Sequence, residues 1–310
     1  MFVHPLITLV LSALTALSAH PARPVPAGPQ VLSKAEADTV TQAILKDRAD
    51  TEQWLKSADN SYLATVQRVD FGARRTLTVG SAADNDVRIE SPSVAPHHLS
   101  VTVAGDSFFV KTVDPGIGFR VKDDVWVDGT VGPSSVGIGF YTLRLSHQRF
   151  PAIIVFDPQS PHLAEYKGLK WFPVDLSYRY VLPLTPNPRP DTVIIRSTRG
   201  NRRRAVRVGW FDFQVGKTPC RLEATRLLEP GVDENAVSVF FRDATTGKET
   251  YPVGRYVDPE RLPDGRYLLD LNRCYNPACA VSEHYNCPIP PKANVLKVAI
   301  RAGEMDSKYH

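Results

Sequence analysis

The rhythm of apolar and polar positions changes once along this chain, near residue 60. Before that point the spacing is helical. Val40 and Ile44 are four apart, and Leu55 returns to the same face with Trp54 beside it. Ser33-Lys34-Ala35-Glu36 reads as a capping box, in which each side chain satisfies the other's backbone N–H. The pattern predicts one helix from Ser33 to about Ser57 that lays Leu55 and Trp54 onto a sheet. From Tyr62 the period is two. Leu77/Val79, Val87/Ile89, Leu99/Val101/Val103, Phe108/Val110, Val125/Val127 and Leu143/Leu145 mostly alternate with polar residues, and Gly, Pro, Asn and Asp break them at short intervals. That is the mark of an antiparallel sandwich or barrel.

The second half has the same style. Val193/Ile195, Val206/Val208/Trp210, Val237/Val239/Phe241, Tyr267/Leu269 and Leu296/Val298/Ile300 are its clearest strands, and Asp243 to Gly247 forms a turn. The predicted fold class is mainly β in two β-rich parts, a sandwich and then a second antiparallel domain, with a helix in front. The boundary is placed at residue 150, giving 33–150 and 151–310. An aromatic stretch, Tyr166 to Pro173, follows that boundary and reads as an apolar plug in the interface between the halves, or else as the wall of a cleft there.

Composition changes this picture little. Of 310 residues, 43% are hydrophobic and 23% charged, as in ordinary globular proteins; the 26 prolines and 19 glycines favour turns over long helices. A net charge of +4 argues against a nucleic-acid partner. The sharpest basic cluster, Arg196, Arg199, Arg202, Arg203, Arg204 and Arg207, reads as a solvated hairpin around Gly200-Asn201. The apolar run Leu6 to Leu17 is too short to span a bilayer and reads as a signal peptide over 1–19, with a Pro/Ala-rich disordered spacer over 20–32. The expected location is secreted or periplasmic, with no other membrane-spanning segment.

Candidate chemistry gathers between Asp270 and Glu304, where three of the four cysteines lie among prolines. In an oxidising compartment Cys279 and Cys287 suit a disulfide, eight residues apart across a loop able to reverse, leaving Cys220 and Cys274 as a second pair. Competing readings are free thiols, or a metal held by Cys274, Cys279, His284 and Cys287, whose spacing is not a common zinc pattern. No metal or cofactor is expected. A polar set of Tyr251, Arg255, Asp270, Asn272, Arg273, Tyr275, Asn276 and Tyr285 is the candidate ligand site. Asp270 and Asn272 share a strand face. An arginine fork with amides and tyrosine faces suits a small carboxylate or a sugar. The competing reading is a buried network that pins the Pro-rich loop. Asp270 with Glu249 could instead act as an acid/base pair on a glycan or ester. No G-x-S-x-G, H-E-x-x-H or Walker sequence is present.

Two resemblances add to this. Gly80-Ser81-Ala82-Ala83-Asp84-Asn85-Asp86-Val87-Arg88-Ile89, followed by Pro92-Ser93-Val94-Ala95-Pro96-His97-His98-Leu99, resembles the core of a forkhead-associated domain. That resemblance implies a sandwich. Ser81 and Ala95 stand where the family's phosphate-holding Arg and Ser belong, which argues against phosphopeptide binding. More widely, Asp157-Pro158, Ser160-Pro161, Gly168 to Pro173, Asp243 to Gly247, Thr250-Tyr251, Gly254-Arg255-Tyr256, Leu269 to Arg273, Tyr275-Asn276-Pro277, Cys279, Cys287 to Pro291 and Ala302-Gly303-Glu304 are similar in order to the DUF1684 family. Leu271 and Cys274 depart from its usual Phe and Ala. The resemblance implies kinship and no activity. The function expected is a noncatalytic binding or structural role at the cell envelope, with a hydrolase as alternative.

Overall fold

The computed structural model describes residues 27–309. One long helix, α1 (Lys34–Ser57), precedes a chain of short strands. Its capping box forms as expected: the Ser33 hydroxyl accepts from the Glu36 N–H, and the Glu36 carboxylate accepts from the Ser33 N–H. The buried stripe is Ile44, Arg48 and Leu55.

The first β part has eleven strands: β1 (Thr65–Asp70), β2 (Thr76–Gly80), β3 (Val87–Arg88), β4 (Leu99–Ala104), β5 (Ser107–Thr112), β6 (Phe119–Val121), β7 (Asp124–Trp126), β8 (Asp128–Val131), β9 (Ser135–Ile138), β10 (Tyr141–His147) and β11 (Pro151–Phe156). They form two facing sheets, one ordered β1-β11-β10-β9-β6-β7 and the other β3-β2-β4-β5-β8. Leu77, Val79, Leu99, Val101, Phe108 and Val110 from one sheet meet Leu143, Leu145, Ile153 and Val155 from the other in a single core. All ten are positions of period two, so alternation alone decides which side chains are inside.

The domain boundary expected at residue 150 falls after Phe156 instead. Strand β11 pairs with both β1 and β10, at the heart of the first sandwich. Its other face carries Ile154 and Phe156 into a second cluster shared with Ile195, Ala205, Phe240 and Tyr256 of the C-terminal part. A strand covered on both sides needs apolar residues at every position, which is what Ala152 to Phe156 supplies.

The C-terminal part adds a short helix, α2 (Pro161–Ala164), and nine strands: β12 (Arg179–Leu182), β13 (Thr185–Pro186), β14 (Thr192–Arg196), β15 (Arg202–Val215), β16 (Thr218–Leu227), β17 (Val239–Phe241), β18 (Arg255–Val257), β19 (Glu260–Arg261) and β20 (Tyr267–Asp270). The long β15–β16 ribbon is its spine, flanked by β13 and β14. The expected strand over Leu296 to Ile300 does not form; this tail runs irregularly through the core.

Three further expectations change. Helix α1 docks on the C-terminal part: Arg48 donates to the carbonyls of Phe172 (2.9 Å) and Asn272 (3.3 Å), and Glu52 accepts from the Leu169 N–H, while Trp54 packs edge-on against Tyr62, just before β1. The spacer is ordered where described, since Ala27 bridges to Phe213 and Gln30 bonds Arg179. The arginine hairpin is only partly solvated. Arg203 is buried against Glu229 at 2.8 Å, and Arg207 pairs with Asp191 and Glu223. The signal-peptide reading lies outside the described residues. Among the described residues no helix is long and apolar enough to cross a membrane.

Adjacent phenylalanines on β5 test the sandwich. Phe108 is fully buried and Phe109 is 39% exposed. Phe108→Ala is expected to cost about 3–5 kcal/mol by cavity formation, and Phe109→Ala about 0.5 kcal/mol or less, measured by urea unfolding.

Candidate binding site

A pocket of about 310 Å³ opens between α1 and the turn that follows β20. The turn is built by Asp270. One carboxylate oxygen accepts from the backbone N–H and the amide of Asn272, both at 3.0 Å, and the other takes Arg179 at 2.6 Å. The Asn272 amide then clasps the Asp175 backbone in both directions at 2.9 Å. Each polar group is matched, so the turn is rigid. It holds Arg273, Tyr275 and Asn276 along one wall of the pocket. Asp47, Arg48, Thr51 and Trp54 of α1 form the facing wall; Tyr62 and Trp171 supply further aromatic surface.

Glu304 lines the same pocket while almost wholly buried. Its carboxylate accepts from the Asn276 N–H (2.8 Å) and the Asn276 amide (2.9 Å). Burial pushes its pKa up to about 8 against the pull of those two donors. Near neutral pH the group is therefore mostly a carboxylic acid. Gly303 lets the chain turn here. Its φ is +78°, and an added Cβ would sit 2.7 Å from the Cys274 Cβ. Arg255 fixes the tail from behind: it donates to the carbonyls of Ile300 (2.8 Å) and Ala302 and pairs with Asp243 at 3.3 Å.

Around the pocket several buried atoms lack a hydrogen-bond partner among the described residues: Arg48 Nε, Trp171 Nε1 and Asn276 Oδ1. The Arg48 guanidinium lies over the Trp171 ring, 4.9 Å from its centre. Arg273 pairs with Asp47 across the mouth.

The expected polar set thus divides. Asn272, Arg273, Tyr275 and Asn276 come together on this pocket. Asp270 stands behind it as a turn-former, and Arg255 is a buried clamp. Tyr251 and Tyr285 lie elsewhere, on a cleft of about 860 Å³ along the seam between the two β parts. The carboxylates considered as a catalytic pair are each engaged separately, Asp270 by Arg179 and Glu249 by Arg301 at 3.0 Å. The sequence pattern did not point to Arg48 or Glu304 as site residues; Trp171 belongs to the aromatic stretch expected between the halves and stands on this pocket under α1 instead. Arg48 had a signal, a charge seven residues before Leu55 on the apolar stripe. Glu304 closes the Ala302-Gly303-Glu304 motif, which carried no role.

A family model described as a protein of unknown function, DUF1684, matches residues 164–305. An uncharacterised protein of Haloarcula marismortui, solved by solution NMR, is 32% identical over 50% of this chain and 85% of its own, with a TM-score of 0.39. The chain belongs to the DUF1684 family.

Other solved structures are similar at lower identity. The FhaA FHA domain, in complex with an intracellular domain, is 14% identical over 26% of this chain and 78% of its own, with a TM-score of 0.20. Mycobacterium tuberculosis EmbR, in complex with a low-affinity phosphopeptide, is 16% identical over 41% of this chain and 32% of its own, with a TM-score of 0.21. No curated protein matches this DUF1684 chain. In the forkhead-like loop, Gly80 allows close approach, since a Cβ there would meet the Pro96 carbonyl at 2.2 Å. His98 accepts from the Ala95 N–H at 3.2 Å and so braces the loop.

The expected disulfides are not formed; all four cysteines are buried free thiols. Cys220 turns to its own strand, 3.7 Å from the Thr218 carbonyl, and Cys274 is wedged against Gly303. Cys279 and Cys287 do meet: the Cys279 N–H donates to the Cys287 sulfur at 3.3 Å. Among the described residues no cluster of metal-binding side chains exists.

Two outcomes follow for this DUF1684 member. A carboxyl whose folded pKa is raised from about 4.5 to about 8 binds a proton in the folded chain that the unfolded chain has lost. Stability should therefore fall as pH rises from about 4.5 to 8, by at most about 1.4 kcal/mol per pH unit, and Glu304→Gln should remove that slope in urea titrations. Arg255→Ala leaves Asp243 buried without its cation and should cost about 3–5 kcal/mol in the same assay.

Proposed function

We propose that this DUF1684 protein is an exported, noncatalytic binding protein of the cell envelope, and that the pocket under α1 takes a single sugar ring. One observation carries this reading: a concave site whose walls combine aromatic faces with a buried hydrogen-bonding edge. Trp54, Tyr62, Trp171 and Tyr275 supply the apolar faces, and Asn276, Glu304 and Arg273 the polar edge. A sugar ring has the matching duality, one apolar face and a rim of hydroxyls. The volume of about 310 Å³ is near the lower end of small-molecule sites, about 300–1,000 Å³, and suits one ring better than a chain. A cationic ligand is disfavoured, because Arg48 and Arg273 stand against Asp47 alone while Glu304 holds its proton.

Binding without turnover is favoured over hydrolysis for a geometric reason. Asp270 is tied to Arg179 and Asn272, and both Glu304 oxygens face Asn276. Neither is set up to deliver a proton to a leaving group. Export led by the Leu6–Leu17 run, and closure of a Cys279–Cys287 disulfide after it, belong to the same reading; the 3.3 Å contact of the Cys279 N–H with the Cys287 sulfur supports the closure.

Titration with glucose and with glucuronate, read by the fluorescence of Trp54 and Trp171, tests the pocket. At least one sugar should give a saturable change at millimolar concentration. Thr51→Trp, which plugs the mouth from an exposed helix position, should abolish it without lowering Tm. No saturable change with either sugar, or a change that Thr51→Trp leaves intact, overturns the reading.

A further inference from the structure

We infer that Cys279 and Cys287 form a thiol–disulfide exchange site, with Cys279 as attacking thiol, Cys287 as resolving thiol, and a small uncharged disulfide as co-substrate entering the seam cleft. The observations are geometric. Cys279 forms part of the wall of the cleft of about 860 Å³, and Cys287 borders a neighbouring cavity of about 210 Å³. The pair therefore has space on both sides, although each residue is largely covered. The two sulfurs are brought together by held backbone. Thr198 clamps Cys287 twice: its hydroxyl accepts from the Cys287 N–H at 3.0 Å, and its own N–H donates to the Cys287 carbonyl at 2.9 Å. Tyr251 donates its hydroxyl to the Cys279 carbonyl at 2.9 Å and lies 3.8 Å from the Cys279 sulfur.

These contacts divide the labour. The Cys287 thiol donates to Cys279 and, with the Tyr251 and Thr198 hydroxyls, draws the Cys279 thiol below its ordinary range. The same hydrogen bond and burial push Cys287 well up. The other two cysteines contrast. Burial pushes Cys274 up to about 12 and also raises Cys220; Cys220, on β16, and Cys274, after β20, both belong to the core of the C-terminal part. The ionised side chains on the cleft balance, Arg149 and Arg199 against Asp70 and Glu283, so an uncharged disulfide is the fitting probe.

The chemistry closes on itself. The Cys279 thiol gives its proton to cleft water, and its thiolate attacks one sulfur of R–S–S–R. A Cys279–S–R bond forms, and R–S⁻ leaves and takes up a proton. Cys287 then loses its proton and attacks the Cys279 sulfur. The protein disulfide forms, and the second R–S⁻ leaves as a thiol. Two protein thiols are oxidised by two electrons and one small disulfide is reduced to two thiols. This supplies a route for the closure placed in the reading above and is independent of the sugar pocket.

The test uses the full chain, reduced and folded, with bis(2-hydroxyethyl) disulfide, acid quench and peptide mass mapping. In the unaltered protein an internal Cys279–Cys287 bond should form with a transient adduct on Cys279 alone, at least ~10-fold faster than adducts on Cys220 or Cys274. Cys287→Ser should trap the Cys279 adduct, and Cys279→Ser should leave Cys287 unreacted on the same timescale. Should Cys287→Ser fail to fold, the site of the early adduct in the unaltered protein decides. First reaction at Cys287, or adducts at equal rates on all four cysteines, overturns the inference. Reaction only after unfolding in urea also overturns it. A bond that closes with a strong added oxidant but never through a Cys279 adduct keeps the closure and overturns the exchange role.

Discussion

A guanidinium buried away from water needs partners, and Arg255 finds them for both of its terminal nitrogens, only its Nε having none among the described residues. Its side chain is almost fully enclosed. It finds Asp243 and the carbonyls of Ile300, Ala302 and Glu304, while Asp243 also accepts from the Ile300 N–H at 2.6 Å. The tail after Leu296 has little strand pairing of its own, so these bonds replace the ladder it lacks. They set where residues 300–304 run, and therefore where Glu304 meets Asn276. The candidate pocket inherits its floor from a charge that cannot be left alone.

The pocket also depends on a second long-range fit. Its walls come from α1 and from residues 272–304, which are more than two hundred positions apart. Arg48 joins them by donating to carbonyls on the far side and lying over Trp171. Burying that arginine stops the helix from being a detached leader and makes it one wall of the site. Glu304 then follows the ordinary logic of a carboxyl in a dry place: desolvation outweighs two hydrogen bonds and keeps the proton on.

The seam between the two β parts has its own character. Strand β11 faces both ways, closing the sandwich with Ile153 and Val155 and reaching across with Ile154 and Phe156. Cys279, Tyr285 and Cys287 lie in the same cross-domain cluster. The loop that carries the paired thiols is thus packed into the joint, and whatever the thiols do is coupled to how the two parts meet.

Much of this fold was legible locally. The helix and its cap, the two-fold alternation that buries Phe108 and exposes Phe109, and the mainly β class each depend on neighbours a few residues away. Asn272, Arg273, Tyr275 and Asn276 were legible as a group because they are close in sequence. What the tertiary structure alone decided was the company they keep. It took Arg255 and Asp270 out of the site and into the supporting network. It brought in Arg48, Trp171 and Glu304 from distant segments, and it moved the domain boundary past Phe156. Side-chain period says which residues face inward. Only the packing of remote segments says which inward-facing polar groups find partners and which are left to line a cavity.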